Sequence, residues 1–217
     1  MAKFFLLLLT AIISYGLGSI NGAIISSKYI WKKDIRDYGS GNAGLTNFYR
    51  IFGLAGSALV LATDILKAVI AVLVGGWLMG FVKDPNEVIN YTNIGKAFAG
   101  FCVMMGHAFP AFYQFKGGKG VLCGGFVVFL VNWPVGIICW LAFLLIVIFT
   151  RYVSLGSVCA AVLFPLGMLI FSKDATVNVI TLFCALLLIL KHSGNIGRLI
   201  SRTEPKFDFN SRPTPRS

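Results

Sequence analysis

Four short polar stretches of this chain gather residue types that hold anions. The first, YGSGNAGLTNFYRIFG, runs from Tyr38 to Gly53. Gly39, Gly41 and Gly44 lack a Cβ, so the backbone there can take φ > 0 and approach a ligand closely. Ser40, Asn42, Thr46 and Asn47 add short hydrogen-bonding side chains, and Arg50 adds a planar fork suited to phosphate. A polar turn that merely caps a helix, with Arg50 placed by charge asymmetry, is the competing explanation. The second stretch, Gly106 to Val121, ends in Lys116, Gly117, Gly118, Lys119 and Gly120. Free N–H groups beside two ammonium groups at a helix start suit a phosphate, although a plain basic turn accounts for the pattern equally well. It lacks the G-x-x-x-x-G-K-[ST] spacing of a nucleotide-hydrolysing loop. His107, nearby, reads as a packing or helix-linking residue.

The third stretch is RYVSLGS, Arg151 to Ser157, and the fourth is LKHSGNIGRLISRTEPKF, Leu190 to Phe207. His192 and Asn195 are three apart, so a helical turn puts them on one face. A histidine there can exchange a proton near neutrality, or it is a surface residue beside Lys191. Glu204, an acid among basic neighbours, reads as a local partner for Arg or Lys. Asp64 and Lys67, three apart inside an apolar run, predict an intrahelical ion pair.

The elements that must position these loops are membrane helices. Of 217 residues 57% are hydrophobic and 12% charged, with a mean hydropathy of +0.82, against about 25% charged in a soluble domain. Lipid is therefore the solvent for most of the chain. Apolar runs are expected from about Phe4 to Ile30, Leu54 to Val82, Ile94 to Phe115, Val121 to Thr150 (broken at Asn132–Pro134 into two helices), Tyr152 to Phe171 and Val177 to Leu190. The fold expected is all-α: one polytopic domain over residues 1–217 with about seven transmembrane helices. With seven spans, Lys28, Lys32, Lys33, Arg36, Arg50, Lys116, Lys119, Arg151, Lys191, Arg198 and the basic tail share one side. The positive-inside rule then puts the N-terminus outside, the loop Lys83 to Asn93 outside, and the C-terminus in the cytoplasm.

A net charge of +11 invites a nucleic-acid reading. The basic residues punctuate apolar runs instead of lining one solvated face, so lipid headgroups and phosphorylated substrates fit better. Cys102, Cys123, Cys139, Cys159 and Cys184 lie inside apolar runs without ligand or disulfide spacing, and no metal is expected. A transporter would show repeated hydropathy and midplane charges. A CDP-alcohol phosphotransferase would need clustered aspartates for metal ions. Acyltransferases with His and Asp five residues apart are excluded, because Phe112 follows His107 at that distance and Gly197 follows His192.

Taken together, SYGLGSINGAIISSK, GSGNAGLTNFYRIFG, LATDILKAVI, GHAFPAFYQFKGGKGV, RYVSLGS and KHSGNIGRLISRTEPKF resemble the bacterial acyl-phosphate:glycerol-3-phosphate acyltransferase family, in the family's order and over about Ser14 to Lys206. The resemblance implies a seven-span enzyme of the bacterial inner (cytoplasmic) membrane, surrounded by membrane lipids and expected as a monomer. It would move a fatty acyl group from acyl phosphate to the 1-hydroxyl of glycerol 3-phosphate, the first step of phospholipid synthesis, without metal or other cofactor. By the same resemblance Ser40 and Arg50 hold phosphate. Gly117, Gly118, Lys119 and Gly120 bind glycerol 3-phosphate, His192 and Asn195 orient it, and Glu204 is structural. Asn42, Thr46, Asn47, Lys116, Arg151 and Ser154 complete the expected substrate contacts. The sequence departs from the family pattern at Asn21, where proline is frequent, and at Ser193–Gly194. No Ser-His-Asp set is visible, so direct transfer is expected. The base would be His192 or, as we favour, an oxygen of a substrate phosphate.

Overall fold

The computed structural model describes residues 1–83 and 89–208; the middle of the loop expected outside, and Arg212 and Arg216 of the tail, lie beyond the described residues. Among these residues every regular element is helical: α1 Ala2–Ser19, α2 Gly22–Tyr29, α3 Leu45–Met79, α4 Tyr91–Ala108, α5 Val121–Val131, α6 Trp133–Thr150, α7 Val153–Phe171, α8 Ala175–Lys191 and α9 Ser193–Ile200, with short 3-10 turns between some of them. By length and composition four segments can cross a membrane: α1 continued by α2, Gly56–Met79 of α3, α6 and α7. A fifth is added if α8 and α9, bent by 59°, count as one.

The helix boundaries follow local chemistry more finely than hydropathy does. The first apolar run breaks at Asn21, whose side-chain oxygen accepts from the Ile24 N–H and caps α2. Its amide also donates to the Ala43 carbonyl at 3.1 Å, tying the break to the first polar loop. Helix α3 begins at Leu45, well before the apolar run, and bends at Gly53, where φ is 75°. Its opening turns, Leu45 to Phe52, therefore belong to the site and its remainder to the bilayer. Helix α4 stops at Ala108 because Pro110 disfavours helical geometry in the residue before it; the chain then passes through a 3-10 turn at Ala111–Tyr113. Asn132 ends α5 and caps α6 through the Val135 N–H, with Pro134 in the first turn, where its missing N–H is harmless. The close crossing of α3 and α4 rests on Gly75 and Gly95: a methyl on Gly95 would come within 2.3 Å of the Gly75 carbonyl.

The helix ends sort into two groups. Lys3 donates to the Tyr91 hydroxyl, and a cavity beside Asn90 and Asn93 is also lined by Asn132 and by Ser172 to Val177. The starts of α1 and α4 and the α5–α6 and α7–α8 junctions thus lie at one end. The four polar stretches meet at the other.

Candidate active site

The first polar loop is shaped from within. Gly39 and Gly41 take left-handed φ of 59° and 68°. Asn47, buried at the start of α3, donates to the carbonyls of Tyr38 and Asn42 at 3.0 and 3.1 Å and accepts from the Ser40 N–H at 3.0 Å. Its side chain is spent on loop shape, and Ser40, which it holds through the backbone alone, is exposed. Upstream, Asp34 pairs with Arg36 at 2.7 Å and Lys28 at 3.1 Å. The Arg36 contact holds its carboxyl well below the usual carboxylate range.

The glycine loop is shaped from beneath. The Gly118 N–H donates to the His107 carbonyl at 3.1 Å, and Gly120, with φ 78°, caps α5. A methyl on Gly118 would fall 2.2 Å from His107 Nε2 and 2.6 Å from the Ala43 carbonyl, so the two loops touch through this residue. Lys119 donates its ammonium to the Asn195 side-chain oxygen. Burial pushes the Lys119 ammonium down to about 8, with Arg198, Arg50 and Lys191 acting the same way and Glu204 opposing them.

The last stretch completes the wall. Asn195 Nδ2 donates to Glu204 Oε1 at 2.6 Å and Arg198 Nε to Glu204 Oε2 at 2.7 Å. Burial raises the Glu204 carboxyl, but the nearby Ser154 hydroxyl and the hydrogen bonds from Asn195 and Arg198 outweigh it and hold it low. Glu204 thus fixes the amide of Asn195, which turns its oxygen to Lys119. His192 is 2% exposed, so it is not a surface histidine. Its Nδ1 donates to the Leu188 carbonyl at 2.8 Å; that bond places the proton on Nδ1 and leaves Nε2 an acceptor.

Ser40, Asn42, Thr46, Asn47, Arg50, Lys119, Gly120, Ser154, His192 and Asn195 line one cavity of about 640 Å³. Arg50 is half-buried there, and burial lowers its guanidinium from the ordinary value while Glu204 opposes the shift. Gly118 packs directly beneath this wall. Lys116 and Gly117 line a separate cavity of about 490 Å³ with Arg36 and Lys191. Arg151 faces neither: with φ 62° it ends α6, and its carbonyl accepts from the Phe207 N–H at 2.7 Å.

Sequence reasoning missed several lining residues: Asp64, His107, Trp140, Phe143, Ser157 and Arg198. Spacing carried part of the signal, since Ser157 follows Ser154, and Arg198 follows Asn195, by three residues on a helix. Asp64 and Lys67 form the expected pair at 2.8 Å, and His107 joins it at 2.9 Å from Lys67. Among the described residues no cluster of three His, Cys, Asp or Glu side chains is placed to hold a metal ion.

A second, almost wholly apolar slot adjoins the cavity. It is lined by Met104, Gly124, Val128, Phe164 and Leu188 and shares Val121, Trp140, Phe143 and Ser157 with the polar space. The arrangement is a cationic chamber that shares a wall with a narrow apolar slot of about 60 Å³ between helices, the pairing that a ligand with a phosphate head and a hydrocarbon tail calls for.

Comparison with known proteins is consistent with that geometry. Residues 8–202 match the family model described as glycerol-3-phosphate acyltransferase. A glycerol-3-phosphate acyltransferase of Thermoanaerobacter pseudethanolicus is 43% identical over 198 residues, covering 91% of this chain and 94% of the relative. Glycerol-3-phosphate acyltransferase 2 of Bacillus anthracis is 38% identical over 200 residues, covering 92% and 98%. Among solved structures, PlsY, an integral membrane glycerol 3-phosphate acyltransferase, superposes in its glycerol 3-phosphate form with a TM-score of 0.81 at 33% identity, over 93% of this chain and 96% of PlsY. Its lysophosphatidic acid form gives 0.78 at 32%, over 93% and 95%.

Proposed function

The chain belongs to the glycerol-3-phosphate acyltransferase family, and we propose that it transfers a fatty acyl group from acyl phosphate to the 1-hydroxyl of glycerol 3-phosphate, at the cytoplasmic face of a bacterial inner membrane. The observation that carries this reading is the convergence of Arg50, Lys119, His192 and Asn195 on one cavity that shares a wall with an apolar slot. Two anionic substrates must meet there, and fixed cations offset their repulsion.

The residues divide the work as follows. Arg50 and the Ser40 hydroxyl hold the phosphate of acyl phosphate, with the acyl tail passing Trp140 and Phe143 into the slot. Lys119 and Gly120 of the glycine loop take the phosphate of glycerol 3-phosphate, assisted by Asn42, Thr46 and Ser154. Asn195, oriented by Glu204, and His192, whose Nε2 accepts, align the glycerol. The 1-hydroxyl oxygen bonds to the acyl carbon, the acyl carbon–phosphate oxygen bond breaks, and phosphate leaves with the electron pair. The hydroxyl proton goes to a phosphate oxygen, and because the glycerol oxygen attacks the acyl carbon directly, no covalent acyl-enzyme forms. Phosphate is already a good leaving group once its charge is met, which makes placement the main demand on the protein.

In the membrane we read α1 with α2, α3, α4, α5, α6, α7 and α8 as seven crossings of a monomer. The two groups of helix ends support this, because successive junctions alternate between them. The cationic end faces the cytoplasm by the positive-inside rule. The test is purified protein with acyl phosphate and glycerol 3-phosphate, reading released phosphate and lysophosphatidate. Turnover with acyl phosphate but none with an acyl thioester is expected; turnover with the thioester alone would reject the donor.

A further inference from the structure

Three buried side chains beneath the glycine loop have no part in the steps above. Asp64 and Lys67, 3% and 4% exposed, face each other on α3. Lys67 also donates to the carbonyls of Gly18 and Ile20, at 3.3 and 3.0 Å, where α1 ends. The His107 Nδ1 atom lies 2.9 Å from Lys67 Nζ and 3.5 Å from Asp64 Oδ1. Charges set this deep in an apolar span are costly unless they are used.

An ammonium against a ring nitrogen makes that nitrogen the acceptor, so Nδ1 of His107 is unprotonated and Nε2 carries the proton. The histidine is therefore a donor and not a base. Its Nε2 side lies against the glycine loop, 2.2 Å from where a Gly118 methyl would stand, with Cδ2 3.8 Å from the corresponding point on Gly120. Its carbonyl accepts from the Gly118 N–H. One residue thus meets the loop through both ring and backbone, and the Asp64–Lys67 pair holds that ring in one orientation.

We propose that His107, clamped by Asp64 and Lys67, is a positioning residue: it sets the height of the Gly117–Gly120 loop and so the affinity for glycerol 3-phosphate. This rests on the reading that the loop takes that substrate's phosphate.

The test compares purified His107→Asn, Gly118→Ala and the double variant, measuring KM for both substrates, kcat and the thermal midpoint. Asparagine can reach Lys67 as Nδ1 does but vacates the space under Gly118. KM for glycerol 3-phosphate should rise about tenfold in His107→Asn, with KM for acyl phosphate within about twofold. Adding Gly118→Ala to it should cost less than the product of the two single effects, because the methyl enters the vacated space. Asp64→Asn, which keeps side-chain volume, should move the same KM by a smaller factor and serves if His107→Asn does not accumulate. Equal rises in both KM values, multiplicative losses, or a lowered midpoint with unchanged KM values would overturn the proposal. A silent His107→Asn beside an impaired Gly118→Ala rejects the positioning role alone. A Gly118→Ala with unchanged KM for glycerol 3-phosphate rejects the loop assignment and the proposal with it.

Discussion

Asn47 Oδ1 accepts a hydrogen bond from the backbone N–H of Ser40 at 3.0 Å, while the same side chain donates to the carbonyls of Tyr38 and Asn42. A buried amide at the start of α3 thereby fixes the backbone of a serine seven residues earlier, at the wall of the cavity. The bonds are local in sequence, yet they exist only because Gly39 and Gly41 turn the chain back through positive φ.

Replacing Asn47 should therefore act through the loop. Asn47→Ala removes an acceptor and two strong donations, each worth about 1 kcal/mol, so a stability loss of roughly 2–4 kcal/mol is expected. Asn47→Asp keeps the acceptor for Ser40 but sets a carboxylate against carbonyl oxygens, and should be no better. Thermal midpoints in detergent and kcat/KM for acyl phosphate check this; a stable, fully active Asn47→Ala would remove the loop's dependence on this residue.

Arg50→Lys separates charge from geometry. Lysine preserves the positive charge on that side of the membrane but loses the planar fork. If Arg50 grips phosphate in the transition state, kcat should fall roughly ten- to a thousandfold, the effect of losing a charge-assisted donor at such a site. Lys33→Arg, on the exposed segment before the loop, is the control and should be near wild type. Equal activity of the two variants at equal membrane abundance would take Arg50 out of the site.

Lys119 gives a pH dependence with a definite sign. Its ammonium, lowered to about 8 by burial, is charged in the unliganded site below that pH and neutral above it. The ratio kcat/KM, which reports the free enzyme, should fall as pH rises through about 8. Lys119→Arg stays charged throughout and should give a lower but flat profile over roughly pH 7–9. An unchanged descending limb in the arginine variant would assign that limb to another group.

Membrane orientation is accessible through single cysteines. Lys173 in the α7–α8 turn and Gln114 before the glycine loop are both exposed. The native cysteines are buried or half-buried, so their background labelling should be low. In intact cells an impermeant maleimide should label Lys173→Cys at once and Gln114→Cys only after the membrane is opened. The reverse pattern would invert the whole arrangement.

What the sequence by itself determined is the solvent, the secondary structure and the chemistry of the polar loops. Apolar runs of membrane length demand helices, because no other local structure satisfies the backbone in hydrocarbon, and the loops between them display their glycines, hydroxyls and cations openly. The break at Asn132–Pro134 was legible because proline and a capping side chain act over a few residues. The breaks at Asn21 and Gly53 were not, since hydropathy averages across a single polar or glycine residue. Tertiary structure alone decided which cations share a chamber. Lys116 and Lys119 are three residues apart, yet the first faces one cavity and the second another, because the left-handed turn at Gln114 and Phe115 and the contact of Gly118 with His107 orient the loop. Likewise His107 and Lys67 are separated by 40 residues, and only the packing of α4 on α3 places the ring 2.9 Å from the ammonium. Local patterns fix what each segment can do; contacts between distant segments set where its side chains point, and those depend on packing that no window of sequence contains.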